Sequence, residues 1–245
     1  MDIFTKKQLK KIIPNAITSA NLLCGCLAVV EISNGQLVNA SFLVLAGAFF
    51  DFFDGMFARL LKVTSPIGAQ LDSLADMITF GFVPALIAFE WLNSIEPSRL
   101  NYFAFSIAVF SAVRLAKFNI DDRQTSSFIG VPTPANALLW ISLPFIQWQV
   151  SEDIIGMDLS PLLHFFQQTP VILGLIALFS FLLIAELPLL SLKFSKLNWK
   201  GNEFRFLLVV FSLILFALFC FAAIPFILIL YIILSIIQTT YKKAR

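Results

Sequence analysis

The sequence predicts an all-α integral membrane protein of about eight transmembrane helices, and three observations predict it. The first is composition: of 245 residues, 59% are hydrophobic and only 13% charged, with a mean hydropathy of +0.88. Soluble domains carry about 25% charged residues. The second is a succession of apolar runs near 12–32, 36–61, 69–92, 100–118, 134–150, 169–191, 204–222 and 224–241. A helix of about 20 residues crosses the roughly 30 Å of hydrocarbon. The third is charge placement. If the N-terminus is cytoplasmic and all the runs cross, every one of the 17 basic residues except Arg99 falls on the cytoplasmic side. Glu31, Glu96, Glu152, Asp153 and Asp158 fall on the other. Positively charged loops mark the cytoplasmic face, and removing one crossing destroys the pattern. Both termini are therefore expected in the cytoplasm, and the protein in the cell (plasma or inner) membrane.

Each element follows from local features. The opening "MDIFTKKQLKK" (1–11) carries Lys6, Lys7, Lys10 and Lys11, and no small-residue cleavage site follows the next apolar run. It is expected as a retained cytoplasmic segment, not a cleaved signal. The second run ends in the acidic stretch "AGAFFDFFDGMFARLL", and the short connection "LLKVTSPIGAQ" makes the second and third helices antiparallel neighbours. The fourth run closes on "SAVRLAKFN". The "PTP" of 132–134 predicts a rigid turn before the fifth helix. Glu186 lies inside the sixth run just before Pro188, and a tight reversal is expected at "AAIPF" around Pro225. Cys24, Cys26 and Cys220 are scattered in apolar runs and read as packing residues. His164 is the single histidine, with no second one to make a zinc site.

The acidic stretch carries the chemistry. On a helix of 100° per residue, Asp51, Asp54, Gly55 and Ala58 share an arc of about 100°, with Arg59 just beyond it. Asp72 and Asp76 stand one turn apart on the third helix. Four carboxylates thus converge at the cytoplasmic membrane boundary. Such anions repel one another and take up protons unless positive charge balances them, and Arg59 supplies only one. A hard divalent cation with oxygen ligands, Mg²⁺ or Mn²⁺, is the natural complement; the absence of nearby His and Cys argues against zinc or copper. Gly55, Ala58 and Gly68 remove side-chain bulk where a phosphorylated ligand could approach the backbone. A cation-transport site is the alternative, since intramembrane carboxylates often mark ion paths. Against it, the acids cluster at one boundary, with no matching set at the midplane or the outer side.

The pattern Asp51-x-x-Asp54-Gly55-x-x-Ala58-Arg59, eight residues, Gly68-x-x-x-Asp72-x-x-x-Asp76 resembles the complete signature of the CDP-alcohol phosphatidyltransferase family. The resemblance implies the family's helical bundle and the transfer of a substituted phosphate from a CDP-linked donor to an alcohol, with release of CMP. It implies that Asp51, Asp54, Asp72 and Asp76 hold metal ions, that Asp76 is also the general base, and that Gly55, Ala58, Arg59 and Gly68 shape the donor pocket.

Further blocks, "IPNAITSANLLCG" (13–25), "SAVRLAKFN" (111–119), "FIGVPTPANA" (128–137) and "LPLLSLKF" (187–194), resemble the bacterial and archaeal phosphatidylserine synthase branch, over residues 10–196. That branch implies CDP-diacylglycerol and L-serine as substrates and a homodimer, with Asn15 and Thr18 on the donor side. Arg114, Lys117, Asn119, Pro132 and Thr133 are the acceptor-side candidates, with Lys193 and Lys196 also basic near that side. "GVPTPANA" has Val131 and Asn136 where the commoner block has Leu and Ala. Glycerol 3-phosphate, inositol phosphate and choline remain alternative acceptors. The expected organisation is a cytoplasmic segment (1–11), a transferase core (12–196) and a C-terminal loop with a helix pair (197–245).

Overall fold

The computed structural model describes residues 3–63, 65–120, 128–190, 199 and 202–243, and these are helical almost throughout. The helices are α1 (Ile3–Ser33), α2 (Leu37–Leu60), α3 (Pro66–Asp76), α4 (Val83–Ile95), α5 (Ser106–Ile120), α6 (Thr133–Ser151), α7 (Ser160–Phe166), α8 (Thr169–Ile184), α9 (Glu203–Phe219) and α10 (Ala223–Lys243). Two short strands, β1 (Phe128–Ile129) and β2 (Pro188–Leu189), pair antiparallel. Among the described residues, five stretches are long and apolar enough to cross a membrane: Ile12–Ser33, Leu37–Leu60, Pro66–Ile95, Arg99–Ile120 and Glu203–Tyr241. The pair α7–α8, bent by 69°, raises the number to six if it counts as one span. The protein is a multi-pass membrane protein.

The turn between α2 and α3 is built from both sides. Lys62 takes a left-handed conformation (φ 51°). Val63 N–H donates to the Ala58 carbonyl at 3.0 Å, and Lys62 N–H to that of Arg59 at 3.2 Å. This Schellman arrangement satisfies carbonyls that the helix end would leave open. Ser65 then caps α3, its Oγ accepting from Gly68 N–H at 3.4 Å, and Pro66 occupies the first turn, where a missing N–H costs nothing. The acidic ends of α2 and α3 therefore meet.

Between Asp76 and α4 the chain widens into a π-helical turn, Met77–Phe82, with Val83 N–H reaching back to the Ile78 carbonyl. Pro84 follows at once, and a proline inside a regular helix lacks its donor and collides with the carbonyl four residues back; the wider turn relieves this. Gly81 lets the turn pack, because a Cβ there would sit 3.1 Å from both Met77 Sδ and Ser111 Cβ.

The middle of the bundle is α6. Trp140, Ile141, Phe145 and Ile146 are fully buried, against a core that includes Phe80, Trp91 and Ile87. Its polar residues Asn136, Ser142 and Gln149 are buried too. A helix enclosed by protein can carry such residues, which is why the run at 134–150 forms a helix without being apolar enough to count among the candidate spans. By contrast α9 buries only Leu208 and exposes residues such as Phe211, Leu213 and Phe216.

Three boundaries differ from the sequence expectation. The helix expected to reach residue 191 stops at Ile184; the chain becomes extended at Ala185 and continues into β2. The reversal expected around Pro225 lies earlier, at Cys220–Ala222, where Cys220 has φ 51°. Pro225 instead sits near the start of α10, a position that tolerates it. The rings of Phe204 and Tyr241, at opposite ends of this 39-residue stretch, lie 6.4 Å apart, so α9 and α10 run antiparallel. Gln149 holds the reversal: its Nε2 donates to the Phe219 carbonyl at 2.9 Å and its Oε1 accepts from Ala222 N–H at 3.3 Å. Finally, α1 begins at Ile3, so much of the segment 1–11 continues into the first run as one helix with Pro14 inside it.

Candidate active site

The antiparallel ends of α2 and α3 bring Asp51, Asp72 and Asp76 together: one carboxylate oxygen from each lies within 4.8 Å of the others. All three are half-buried. Three oxygen donors, with no sulfur or imidazole in the group, fit a hard divalent ion and not a soft one. Asp54 stands beside them, buried, and takes a different partner: Thr18 Oγ1 of α1 donates to its Oδ2 at 2.6 Å. One turn further along α1, Asn21 Nδ2 donates to Asp76 Oδ1 at 3.3 Å.

Next to the carboxylates opens a cavity of about 230 Å³, lined by Asn15 and Thr18 of α1, Asp54, Gly55 and Ala58 of α2, and Gly68 and Asp72 of α3. The two glycines serve different ends. Nothing lies within 4 Å of where a Gly55 Cβ would be, so its surface is open to the cavity. A Gly68 Cβ would come within 2.9 Å of Asn15 Oδ1, so a side chain there would displace that of Asn15. Arg59, which follows Ala58 on α2, is exposed, its Nε donating to the Gly55 carbonyl at 2.9 Å.

The acceptor-side candidates divide. Arg114 on α5 is buried, its Nε has no hydrogen-bond partner, and it interacts electrostatically with Asp76 and Tyr231. Thr133, which follows Pro132 at the start of α6, is buried with its Oγ1 likewise unpartnered. Lys117 and Asn119 are exposed, and Asn119 Nδ2 donates to Ser73 Oγ of α3 at 3.0 Å. Lys193 and Lys196 lie outside the described residues. The blocks around 128–137 and 187–190, far apart in sequence, are joined: Phe128 pairs with Leu189, Ile129 with Pro188, and Gly130 N–H donates to the Leu187 carbonyl at 2.9 Å. Tyr231 Oη donates to the Leu190 carbonyl at 3.1 Å, bringing α10 to the same end.

Sequence reasoning passed over Asn21 and Tyr231. The spacing of Thr18 and Asn21, three residues apart on one helical face, was a signal for the first. Cys24, Cys26 and Cys220 are free thiols.

Apolar spans that gather carboxylates and small residues where two of them meet define a multi-pass membrane protein with an oxygen-lined anionic centre. Comparison with known proteins narrows this class. Residues 11–183 match the CDP-alcohol phosphatidyltransferase family, and the chain belongs to that family, a group of membrane transferases of phospholipid biosynthesis. It is similar to proteins named CDP-diacylglycerol–serine O-phosphatidyltransferase. One from Helicobacter pylori strain J99 is 31% identical over 209 residues, 81% of this chain and 79% of that protein. One from Bacillus subtilis is 36% identical over 133 residues, 54% of this chain and 75% of the relative. One from Helicobacter pylori strain 26695 is 39% identical over 134 residues, 51% of this chain and 54% of the relative.

Proposed function

We propose that the protein transfers the phosphatidyl group of CDP-diacylglycerol to the hydroxyl of L-serine, forming phosphatidylserine and CMP. The observation that carries the reading is the carboxylate group Asp51, Asp72 and Asp76 beside a cavity bounded by Gly55 and Gly68. The names of the relatives supply the two substrates. Asp51, Asp54, Asp72 and Asp76 are the residues that would hold divalent metal; Mg²⁺ or Mn²⁺ bound there supplies positive charge to the diphosphate and its developing negative charge. The donor's cytidine diphosphate occupies the cavity of Asn15, Thr18, Gly55, Ala58 and Gly68, with Arg59 at its rim near phosphate.

Asp76 takes the proton of the acceptor hydroxyl. The acceptor oxygen then bonds to the phosphorus bearing diacylglycerol as the bond from that phosphorus to the CMP oxygen breaks. A carboxylate base contributes when it is within hydrogen-bond reach of the proton it removes. Arg114, with a buried unpartnered Nε and an electrostatic link to Asp76, pairs with the carboxylate of serine. Pro132 and Thr133 close that side, while Lys117 and Asn119 act from its surface edge.

The same reading takes eight crossings with both termini cytoplasmic, the site on the cytoplasmic face of the plasma membrane, a transferase core over 12–196 and a homodimer. The eight crossings rest on the eight apolar runs and on the distribution of the basic residues along the sequence; the antiparallel α9–α10 pair agrees with two of them. The exposed apolar face of α9 suits a lipid or subunit contact.

The test is a transfer assay with purified protein in liposomes containing CDP-diacylglycerol and Mn²⁺ or Mg²⁺. Serine, glycerol 3-phosphate, inositol phosphate and choline are offered in parallel, and CMP and lipid product are both followed. Phosphatidylserine with serine alone is the expected result. Product from another alcohol would keep the chemistry and replace the acceptor. No CMP with any alcohol would refute the transfer reaction, and cation flux through liposomes would then decide for the carboxylates as an ion path.

A further inference from the structure

Asn21 has no place in the donor cavity or among the acceptor-side residues, yet it is fully buried and touches the carboxylate centre. Its amide Nδ2 donates to Asp76 Oδ1 at 3.3 Å. Its backbone carbonyl accepts from Thr79 Oγ1 at 3.1 Å, and Thr79, also fully buried, stands in the π-helical turn that begins just after Asp76. Asn21 thus holds this segment twice, once at the carboxylate and once three residues beyond it.

The packing around these contacts leaves little freedom. A Cβ on Gly25 would meet Thr79 Oγ1 at 2.5 Å, and one on Gly47 would meet Thr79 Cγ2 at 2.6 Å and Asn21 Oδ1 at 2.9 Å. Real Cβ contacts do not come this close, so glycines of α1 and α2 are what allow Asn21 and Thr79 to seat between the two helices. A side chain without room to turn and with one amide proton committed to Asp76 fixes the rotation of that carboxylate. Oδ1 is the oxygen that meets the amide, and the carboxylate also contributes an oxygen to the centre that Asp51 and Asp72 share.

We propose that Asn21 is a positioning residue for Asp76: it holds the carboxylate in the orientation in which it meets the acceptor hydroxyl and the metal site. This rests on the reading of Asp76 as general base. Preorganised geometry of this kind acts on the turnover step and leaves substrate affinity alone.

The experiment compares wild type, Asn21→Leu (near-isosteric, without the amide) and Gln149→Leu, which loosens the far end of the bundle and serves as the control for lost stability. Each is assayed for CMP release with CDP-diacylglycerol and serine, for the Mn²⁺ concentration giving half-maximal rate, and for thermal unfolding. Mn²⁺ binding is also measured without substrates by its paramagnetic resonance signal. For Asn21→Leu the expected result is a kcat lower by about ten-fold or more, the scale of one hydrogen bond to a charged group. Both KM values stay within about two-fold, and half-activation and binding by Mn²⁺ shift to higher concentration. An unchanged kcat overturns the proposal, as does a fall no larger than in Gln149→Leu at equal loss of thermal stability. A raised KM for CDP-diacylglycerol with kcat retained also overturns it, and places Asn21 in the donor pocket. If the wild type releases no CMP with any alcohol, the transfer reading fails by itself; Mn²⁺ binding then decides for Asn21, weaker binding supporting its hold on Asp76 and equal binding refuting it.

Discussion

Thr18 and Asp54 are joined across the α1–α2 contact by a 2.6 Å hydrogen bond from hydroxyl to carboxylate. The bond belongs to the wall of the cavity proposed for the donor, which both residues line. A bond of this kind to a charged acceptor is worth about 1.5–3 kcal/mol. Thr18→Val keeps the volume and removes the donor. The expected outcome is a KM for CDP-diacylglycerol raised by about ten-fold or more, measured as CMP release at saturating serine; an unchanged KM would detach Thr18 from donor binding.

Asp76→Asn keeps the shape of the side chain and removes its capacity to take a proton. General-base catalysis contributes about 10²–10⁴ in rate, and a fall in kcat of that size is expected. Chelation by EDTA should abolish wild-type activity, and Mn²⁺ or Mg²⁺ should restore it. Activity that survives exhaustive chelation would separate the carboxylates from metal binding.

Arg114 is buried with an unpartnered Nε, and the carboxylate of serine is its partner in the proposed reading. Wild type is expected to use serine far better than serinamide, which lacks the carboxylate. Arg114→Met should raise the KM for serine by about ten-fold or more and erase the preference over serinamide, with the KM for CDP-diacylglycerol unaffected. Preserved discrimination in the variant would move the carboxylate subsite elsewhere.

Gly47→Ala brings a methyl group to 2.6 Å from Thr79 Cγ2. Overpacking a filled interior costs about 1–3 kcal/mol, read as a lower melting temperature in detergent. Thr79→Ser in the same chain deletes that Cγ2 and should recover part of the loss. Equal melting temperatures for the single variant and wild type would show that α1 and α2 can part without cost.

Gln149→Leu leaves the Phe219 carbonyl and the Ala222 N–H without their partner at the α9–α10 reversal. A buried polar group stripped of its bond costs about 1–3 kcal/mol. Thermal stability should fall while kcat for CMP release is retained, because the clamp lies at the far end of the bundle from the carboxylates.

Much of the site was legible because it obeys helical periodicity. Asp51 before a short turn, Asp72 and Asp76 after it, had to face one another once α2 and α3 were antiparallel, while Asp54 beside them turns to Thr18, and Gly55 opens on the cavity as its lack of a side chain suggested. What escaped had no period to read. Strands of two residues are too short for any alternation to register, so the pairing of Phe128 with Leu189 was invisible, and with it the early end of α8. The π-helical turn leaves only Gly81 and Pro84 as traces. The reversal at Cys220 needs a left-handed residue that nothing in "FCFAAIPF" announces, and Pro225 drew attention because prolines usually break helices. Thr18 and Asn21 share a face of α1, but which carboxylate each would meet depended on how closely Gly25 and Gly47 let the helices approach.

The turn at Lys62–Ser65 has a bearing on how the sequence can change over time. Its left-handed residue, the Val63-to-Ala58 bond and the Ser65 cap tie down both sides of the interval between Arg59 and Gly68. One residue added or lost there would break the turn and cap contacts that set how α3 meets α2, and with them the approach of Asp72 and Asp76 to Asp51. A change of length in this stretch disturbs the site more than a change of side chain does. The gap between the two halves of the signature is a ruler whose length the chemistry inherits.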